Sequence, residues 1–305
     1  MKKLYNEDPN FSIIAPGSCN AACSFCFANE GKDTLVLNEY MKALSDTLMN
    51  LPEPFYQISI TGGEPLLSPY IVPILMSIYP HKRKYTNVLL TTNGTHLDKF
   101  YDYISMSVDH INISRHHYDE KENQQIFKGT YDVLDADIRH YIDLYSIAGI
   151  DVSANCVIDD TTSINFIESY IAWAKTIGFA AVRFRKQNGS LDKTEAEQYY
   201  RKHAVLWKGT CPICETTLQL IKGCKVYWKK SIVEPTDKTN DIFEVVFGPD
   251  GKMYADWQYK IPIEQREWCK PSSARSSRVT PNSSRGGCGN TIWNSCGSSH
   301  SSSRC

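Results

Sequence analysis

The strongest constraint on the fold of this chain is an alternation, across its first two-thirds, of short apolar runs with longer segments of helical spacing. Runs at residues 11–15, 56–61, 87–91, 110–114, 150–157 and 181–184 are β-branched or apolar and read as strands. Between them, Asn38 is placed to cap a helix carrying Tyr40, Met41, Leu44, Leu48 and Leu51 on one stripe. Pro69 is placed to start a helix over 70–79. A short helix is expected over 96–104. Longer ones are expected over 130–147 and 163–177, ending near Gly149 and Gly178 as C-caps. A sixth helix is expected near 193–207. Repeated βα units predict a parallel sheet with helices outside it, either flat and doubly wound or curved into a barrel.

The pattern changes after about residue 209. Segments 217–233 and 243–257 look like β structure, and Pro249-Asp250-Gly251 is a turn signal between hairpin arms 243–247 and 252–257. From 271 to 305 the chain is rich in Ser, Arg and Gly and has no acidic residue, a composition expected to be disordered. The resulting division is a core over 1–208, a β-containing extension over 209–270 and a tail over 271–305.

A formal net charge of −1 gives no global attraction to nucleic acid or to a membrane surface. The most apolar stretch, 70–79, is too short to span a bilayer, and no apolar signal core follows Met1-Lys2-Lys3. A cytoplasmic location is expected. In a reducing compartment, eleven cysteines suggest metal or redox chemistry more than disulfides.

Cys19, Cys23 and Cys26 form C-x3-C-x2-C directly after the first strand. Three thiolates in one loop can converge on one metal centre. On a [4Fe–4S] cluster they leave one iron without a protein ligand, and an open position is what a catalytic centre needs. Ala21 and Ala22 let the loop wrap tightly, while Phe25 and Phe27 can shield the centre from water. By spacing alone, a zinc site with a remote fourth ligand or three unrelated core cysteines stay open.

With an aromatic residue before the last cysteine, the motif resembles the signature of the radical S-adenosylmethionine (SAM) superfamily. Gly62-Gly63-Glu64-Pro65 after the second strand resembles the family's GGEP segment, and Thr92-Asn93-Gly94 its TNG segment. The resemblance covers roughly residues 11–185. It implies a partial (βα)6 TIM-type barrel with a small β-containing, cysteine-rich extension. It also implies a [4Fe–4S] cluster on the triad and SAM bound near Gly62, Gly63, Glu64, Pro65, Asn93, Ser114 and Asn155. The implied reaction is reductive cleavage of SAM to a 5′-deoxyadenosyl radical that abstracts hydrogen from a substrate, with a flavodoxin- or ferredoxin-type electron donor. A Gly-Gly turn and strand-end hydrogen bonds are the plain readings of the same residues.

Substrate candidates lie at strand ends. Arg115 suits a carboxylate or phosphate, and His116 or His117 a proton. Arg183 and Arg185, on one face of the sixth strand, suit an anionic group. Cys156 is expected in the core. Cys211-Pro212-Ile213-Cys214 with Cys224 resembles the auxiliary-cluster ligands of peptide-modifying and GTP 3′,8-cyclase-like members, so a second iron–sulfur cluster is an expectation. The usual cysteine after the hairpin is replaced here by Ala255, Asp256 and Trp257. A zinc knuckle or no metal is the competing account. A peptide is the first expected substrate and a nucleotide or nucleic-acid base the second. A non-catalytic metal-binding scaffold is the alternative of another class.

Overall fold

The computed structural model describes residues 3–4, 10–26, 33–51, 57–82, 87–191, 193–203, 206–210, 217–229, 241–242 and 244–263. The chain opens with β1 (Lys3–Leu4), β2 (Asn10–Ala15), α1 (Leu37–Met49), β3 (Gln57–Gly62), α2 (Ile71–Ile78), β4 (Asn87–Thr92) and α3 (Tyr101–Ser107). Then come β5 (His110–Ser114), α4 (Glu120–Phe127), α5 (Asp135–Ile147), β6 (Asp151–Ile158), α6 (Ile164–Ile177), β7 (Ala181–Lys186) and α7 (Glu195–His203). The remaining strands are β8 (Leu206–Thr210), β9 (Thr217–Ile221), β10 (Cys224–Lys229), β11 (Asp241–Ile242), β12 (Glu244–Phe247), β13 (Met253–Tyr254) and β14 (Pro262–Ile263).

Strands β2 to β7 lie side by side in chain order, each parallel to the next. This is the (βα)6 arrangement, with every C-terminal strand end on one side. The C-terminal strands extend the same sheet: β12 pairs in parallel with β2, and β10 with β7. The 209–270 segment is thus joined to the core by backbone pairing at both edges. The hairpin around Pro249-Asp250-Gly251 forms, with β12 antiparallel to β13. A second hairpin joins β9 to β10 through Lys222 and Gly223, both with positive φ. The order ends at β14 and β8, so the barrel is open.

Alternation along the strands sorts residues to two faces. Phe11, Ile13, Ile58, Ile60, Ile111, Ile113, Val182 and Phe184 pack outward in one core with Tyr40, Leu44, Ile74, Ile138 and Tyr170 of the helices. The inner face is polar: Ser12, Ser59, Asn112, Ser153 and Arg183 are all buried there. Closed barrels normally fill this space with layers of branched apolar side chains. A polar interior is therefore a departure that demands partners for these groups.

Local sequence explains most boundaries. On α1, Tyr40, Leu44, Thr47 and Leu48 form one buried stripe. The cap is Val36, without a side-chain bond, because Leu35 N–H is fixed to the Pro249 carbonyl at 3.1 Å; Asn38 lies inside the helix. Ser163 caps α6 by accepting from Phe166 N–H at 3.1 Å, and Gly178 ends it in the left-handed region. The helix expected over 130–147 begins only at Asp135. The additional α4 is capped by Asp119, whose carboxylate accepts from Lys121 and Glu122 N–H at 2.9 and 3.1 Å. Among the described residues no helix is long and apolar enough to cross a membrane.

Candidate active site

The exit of β2 runs into the cysteine loop, where Cys19 and Cys23 are half-buried, Cys26 is exposed, and all three are free thiols. The exit of β3 presses against it. A Cβ at Gly62 would stand 2.5 Å from the Ala15 carbonyl oxygen, and one at Gly63 would stand 3.0 Å from that of Ser18. The paired glycines are thus required by the close approach of two strand ends. Glu64 N–H donates to the Ser18 carbonyl at 3.2 Å, tying the two exits together next to Cys19.

The Glu64 side chain is buried and accepts three hydrogen bonds. Leu66 N–H and Thr92 Oγ1 donate to Oε1 at 3.0 and 2.6 Å, and Asn93 N–H donates to Oε2 at 2.6 Å. Burial nevertheless pushes its carboxyl up to about 7, with these donors pulling the other way. Pro65 starts the single-turn helix Pro65–Leu67, for which Glu64 is the cap.

Two thiols of the triad, those of Cys19 and Cys23, are also shifted. Burial pushes Cys23 up to about 11, with the neighbouring Cys26 and Cys19 adding in the same direction, and burial raises Cys19 as well. In this loop three thiolates are costly together unless a cationic group joins them, which is the chemistry of a metal-thiolate centre. Among the described residues no three His, Cys, Asp or Glu side chains close around a single ion, the triad included. The fit to a multinuclear iron–sulfur group therefore rests on the donor set.

Ser114 and Asn155 sit opposite each other in register at the C-terminal ends of β5 and β6, half-buried on the inner face. Arg185 is half-buried on the same face of β7. Of the other expected site residues, Asn93 lies between Glu64 and the cysteine loop, whereas Arg115 does not face the inner side. Asn93 gives its side chain to the protein: Nδ2 donates to Asn20 Oδ1 at 2.8 Å, and Oδ1 accepts from Thr95 N–H at 3.0 Å. Arg115 points outward and is fully buried. Its Nε donates to the His117 carbonyl at 3.2 Å, Nη1 to the Val133 carbonyl at 3.3 Å, and Nη2 pairs with Asp135 at 2.8 Å. This arrangement knits β5 to α5 and commits every edge of the guanidinium.

His116 is buried between Phe25 and Phe127, and its Nδ1 accepts from Val157 N–H at 3.1 Å. Burial, with Arg115 beside it, pushes its pKa down to about 3, so the imidazole is held neutral. His117 packs against Tyr118 and Phe166. Arg183 reaches across the inner face, its guanidinium over the Tyr227 ring at 4.5 Å and Nη2 at 3.3 Å from His110 Nε2 near the start of β5. It therefore lies deep in the barrel rather than at the mouth. Cys156 is a core residue, as expected, with its thiol pushed well up by burial. Cys224 is buried and disulfide-bonded; Cys211 and Cys214 lie outside the described residues.

Sequence reasoning missed the supports of the cysteine loop. Asn20 Nδ2 donates to Thr95 Oγ1 at 3.0 Å, and Thr130 N–H donates to the Asn20 carbonyl at 2.9 Å. A Cβ at Gly129 would collide with that carbonyl, so the Lys128-Gly129 pair was the available signal.

Fold and site together define an open α/β barrel with a three-thiol loop at the C-terminal ends of its strands. Residues 13–162 form a radical SAM superfamily domain. A domain of this family implies a [4Fe–4S] cluster and SAM. Among curated proteins, the chain is 29% identical over 155 residues to 7-carboxy-7-deazaguanine synthase of Methanothermobacter thermautotrophicus, covering 49% of this chain and 61% of the relative. It is 28% identical over 194 residues to GTP 3′,8-cyclase of Thermodesulfovibrio yellowstonii, covering 60% and 58%. It is 30% identical over 125 residues to the S-adenosylmethionine-dependent nucleotide dehydratase of Flammeovirga pacifica, covering 34% and 39%. The chain thus spans less than two-thirds of each relative. The solved structure of Streptococcus suis SuiB bound to S-adenosylmethionine shares the fold, with a TM-score of 0.55 and 13% identity over 81% of this chain and 58% of that one.

Proposed function

We propose that this enzyme generates a 5′-deoxyadenosyl radical from SAM and uses it to abstract hydrogen from an anionic small molecule of the nucleotide class, held on the polar inner face. The observation that carries the reading is the union of the cysteine loop with the Gly62-Gly63-Glu64 exit, through Glu64 N–H and the Ser18 carbonyl. Cys19, Cys23 and Cys26 would hold the cluster, three thiolates for its four irons. When bound and reduced, that cluster supplies the electron that splits the sulfonium C–S bond.

The chain's own groups do the rest. Backbone carbonyls at Gly62 and Gly63 and the buried carboxylate of Glu64 favour the SAM ammonium. Ser114 and Asn155 offer polar contacts at the strand ends. Phe25, packed on His116, keeps water from one side of the loop. A flavodoxin- or ferredoxin-type protein is the proposed reductant.

An anionic substrate is favoured over a peptide by the inner wall of β7 and β10. Arg185 pairs in register with Lys229, so these two cations share the inner face near the strand ends, with Arg183 deeper on the same face. The names of two of the curated relatives, a GTP 3′,8-cyclase and a nucleotide dehydratase, support the same class. The test supplies reconstituted enzyme, SAM and dithionite with nucleoside triphosphates or with peptides. Stimulated 5′-deoxyadenosine formation by a nucleotide, lost in Arg185→Ala, is expected. Stimulation by peptides alone would overturn the substrate class.

A further inference from the structure

The cysteine loop is held by side chains outside its own motif. Asn20, between Cys19 and Cys23, accepts from Asn93 Nδ2 and donates to Thr95 Oγ1. Asn93 is held in turn by Thr95 N–H on its Oδ1, which aims its NH2 group at Asn20. Its backbone N–H donates to Glu64 Oε2, and Glu64 N–H donates to the Ser18 carbonyl. The bonds form a closed ring, from Asn20 through Asn93 and Glu64 to Ser18, that brackets Cys19 on both sides. Asn93, Thr95 and Glu64 are all buried, so each bond lost leaves a polar group without water to replace its partner.

We propose that Asn93 is a positioning residue. Its side chain fixes the Cys19–Cys23 span through Asn20, and its backbone ties that span to Glu64, so the cluster site and the SAM site are set by one residue. The identity of the group the thiols hold rests on the function proposed above. The spacing of the C-x3-C stretch leaves Ala21 and Ala22 nothing but backbone to anchor, and Ala22 N–H reaches the Phe127 carbonyl at 2.6 Å. Asn20 is therefore the side-chain handle between the first two cysteines, and Asn93 grips it.

Asn93→Ala removes both side-chain bonds. Asn93→Asp keeps the acceptor for Thr95 N–H but cannot donate to Asn20. Thr95→Val removes only the hydroxyl. In metal-free protein, iodoacetamide labelling of each cysteine is followed by peptide mass spectrometry, with buried Cys156 as internal control. Cys19 and Cys23 should react about tenfold faster in both Asn93 variants, the factor that one buried hydrogen bond confers, with Cys156 unchanged. In anaerobically reconstituted protein, iron should pass to a chelator about tenfold faster, and SAM should no longer shift the electron paramagnetic resonance signal of the reduced cluster.

Labelling rates equal to those of the parent would overturn the proposal. So would faster labelling with unchanged iron release and an unchanged SAM-induced shift, because Asn93 would then only support the fold. If Asn93→Ala also exposes Cys156, the chain has loosened as a whole, and Asn93→Asp, which keeps the bond from Thr95 N–H and loses only the one to Asn20, decides by the same criteria. A parent that assembles no iron–sulfur cluster would remove the reading of the thiols, while the labelling rates would still decide whether the clamp exists.

Discussion

Replacing Glu64 by glutamine should change how stability depends on pH. The carboxyl is fully enclosed, and burial raises its pKa from 4.5 to about 7. A carboxyl whose pKa is higher in the folded than in the unfolded chain stabilises the fold while protonated. That contribution is complete below pH 4.5 and is lost as pH rises through 7. At 1.36 kcal/mol per pKa unit, the loss between pH 5 and pH 8 comes to about 2 to 3 kcal/mol. Glutamine cannot ionise. In its best orientation it keeps Oε1 for Leu66 N–H and Thr92 Oγ1 but turns an NH2 group toward Asn93 N–H, which costs about 1–3 kcal/mol at every pH. Urea unfolding of metal-free parent and variant at pH 5, 6, 7 and 8 separates the two effects. The variant should be the weaker protein at pH 5 and should gain about 2 to 3 kcal/mol on the parent by pH 8. It should also lose SAM cleavage after reconstitution, since the neutral amide no longer attracts an ammonium. A stability difference that is flat across this range would refute the reasoning, because the three donors would then fully offset burial.

Gly62→Ala forces a methyl to within 2.5 Å of the Ala15 carbonyl and should cost about 3 kcal/mol in urea unfolding. Arg115→Ala breaks the ion pair with Asp135 and should destabilise by about 3 kcal/mol; in the folded fraction, nucleotide-stimulated SAM cleavage per bound cluster should be unchanged. Cys156→Ala should leave iron content per chain at the parent level, whereas alanine at Cys19, Cys23 or Cys26 should lower it, as read by iron analysis after anaerobic gel filtration.

The order of strands was legible because parallel strands buried on their outer face need the Ile, Val and Phe runs that periodicity detects; the His110–Ser114 strand matches to the residue. Helix α4 was missed because Asn123 is its buried polar anchor, accepting His116 N–H at 2.8 Å, and Phe127 contributes its main apolar contact. No apolar stripe therefore announces it. The cysteine loop and the paired glycines were readable as motifs, since both depend on residue types that few positions tolerate. Side-chain direction was not readable. Arg115 directly follows inward-facing Ser114 and turns out toward Asp135, a partner twenty residues away that no local pattern identifies. Asn93 was singled out because its motif lies at a strand end, but the bonds of its amide to Asn20 and Thr95 were not visible in the sequence. The pairing of β12 with β2 and β10 with β7 was equally hidden, because register between distant strands leaves no signal in either one alone.

The most direct measurement takes protein reconstituted with iron and sulfide without oxygen, adds SAM and dithionite, and follows 5′-deoxyadenosine by chromatography. The account predicts its formation, with loss on substitution of any one of Cys19, Cys23 and Cys26. Zinc bound at the triad with no 5′-deoxyadenosine, or cleavage that survives removal of one of these thiols, would contradict it and leave a metal-binding scaffold in its place.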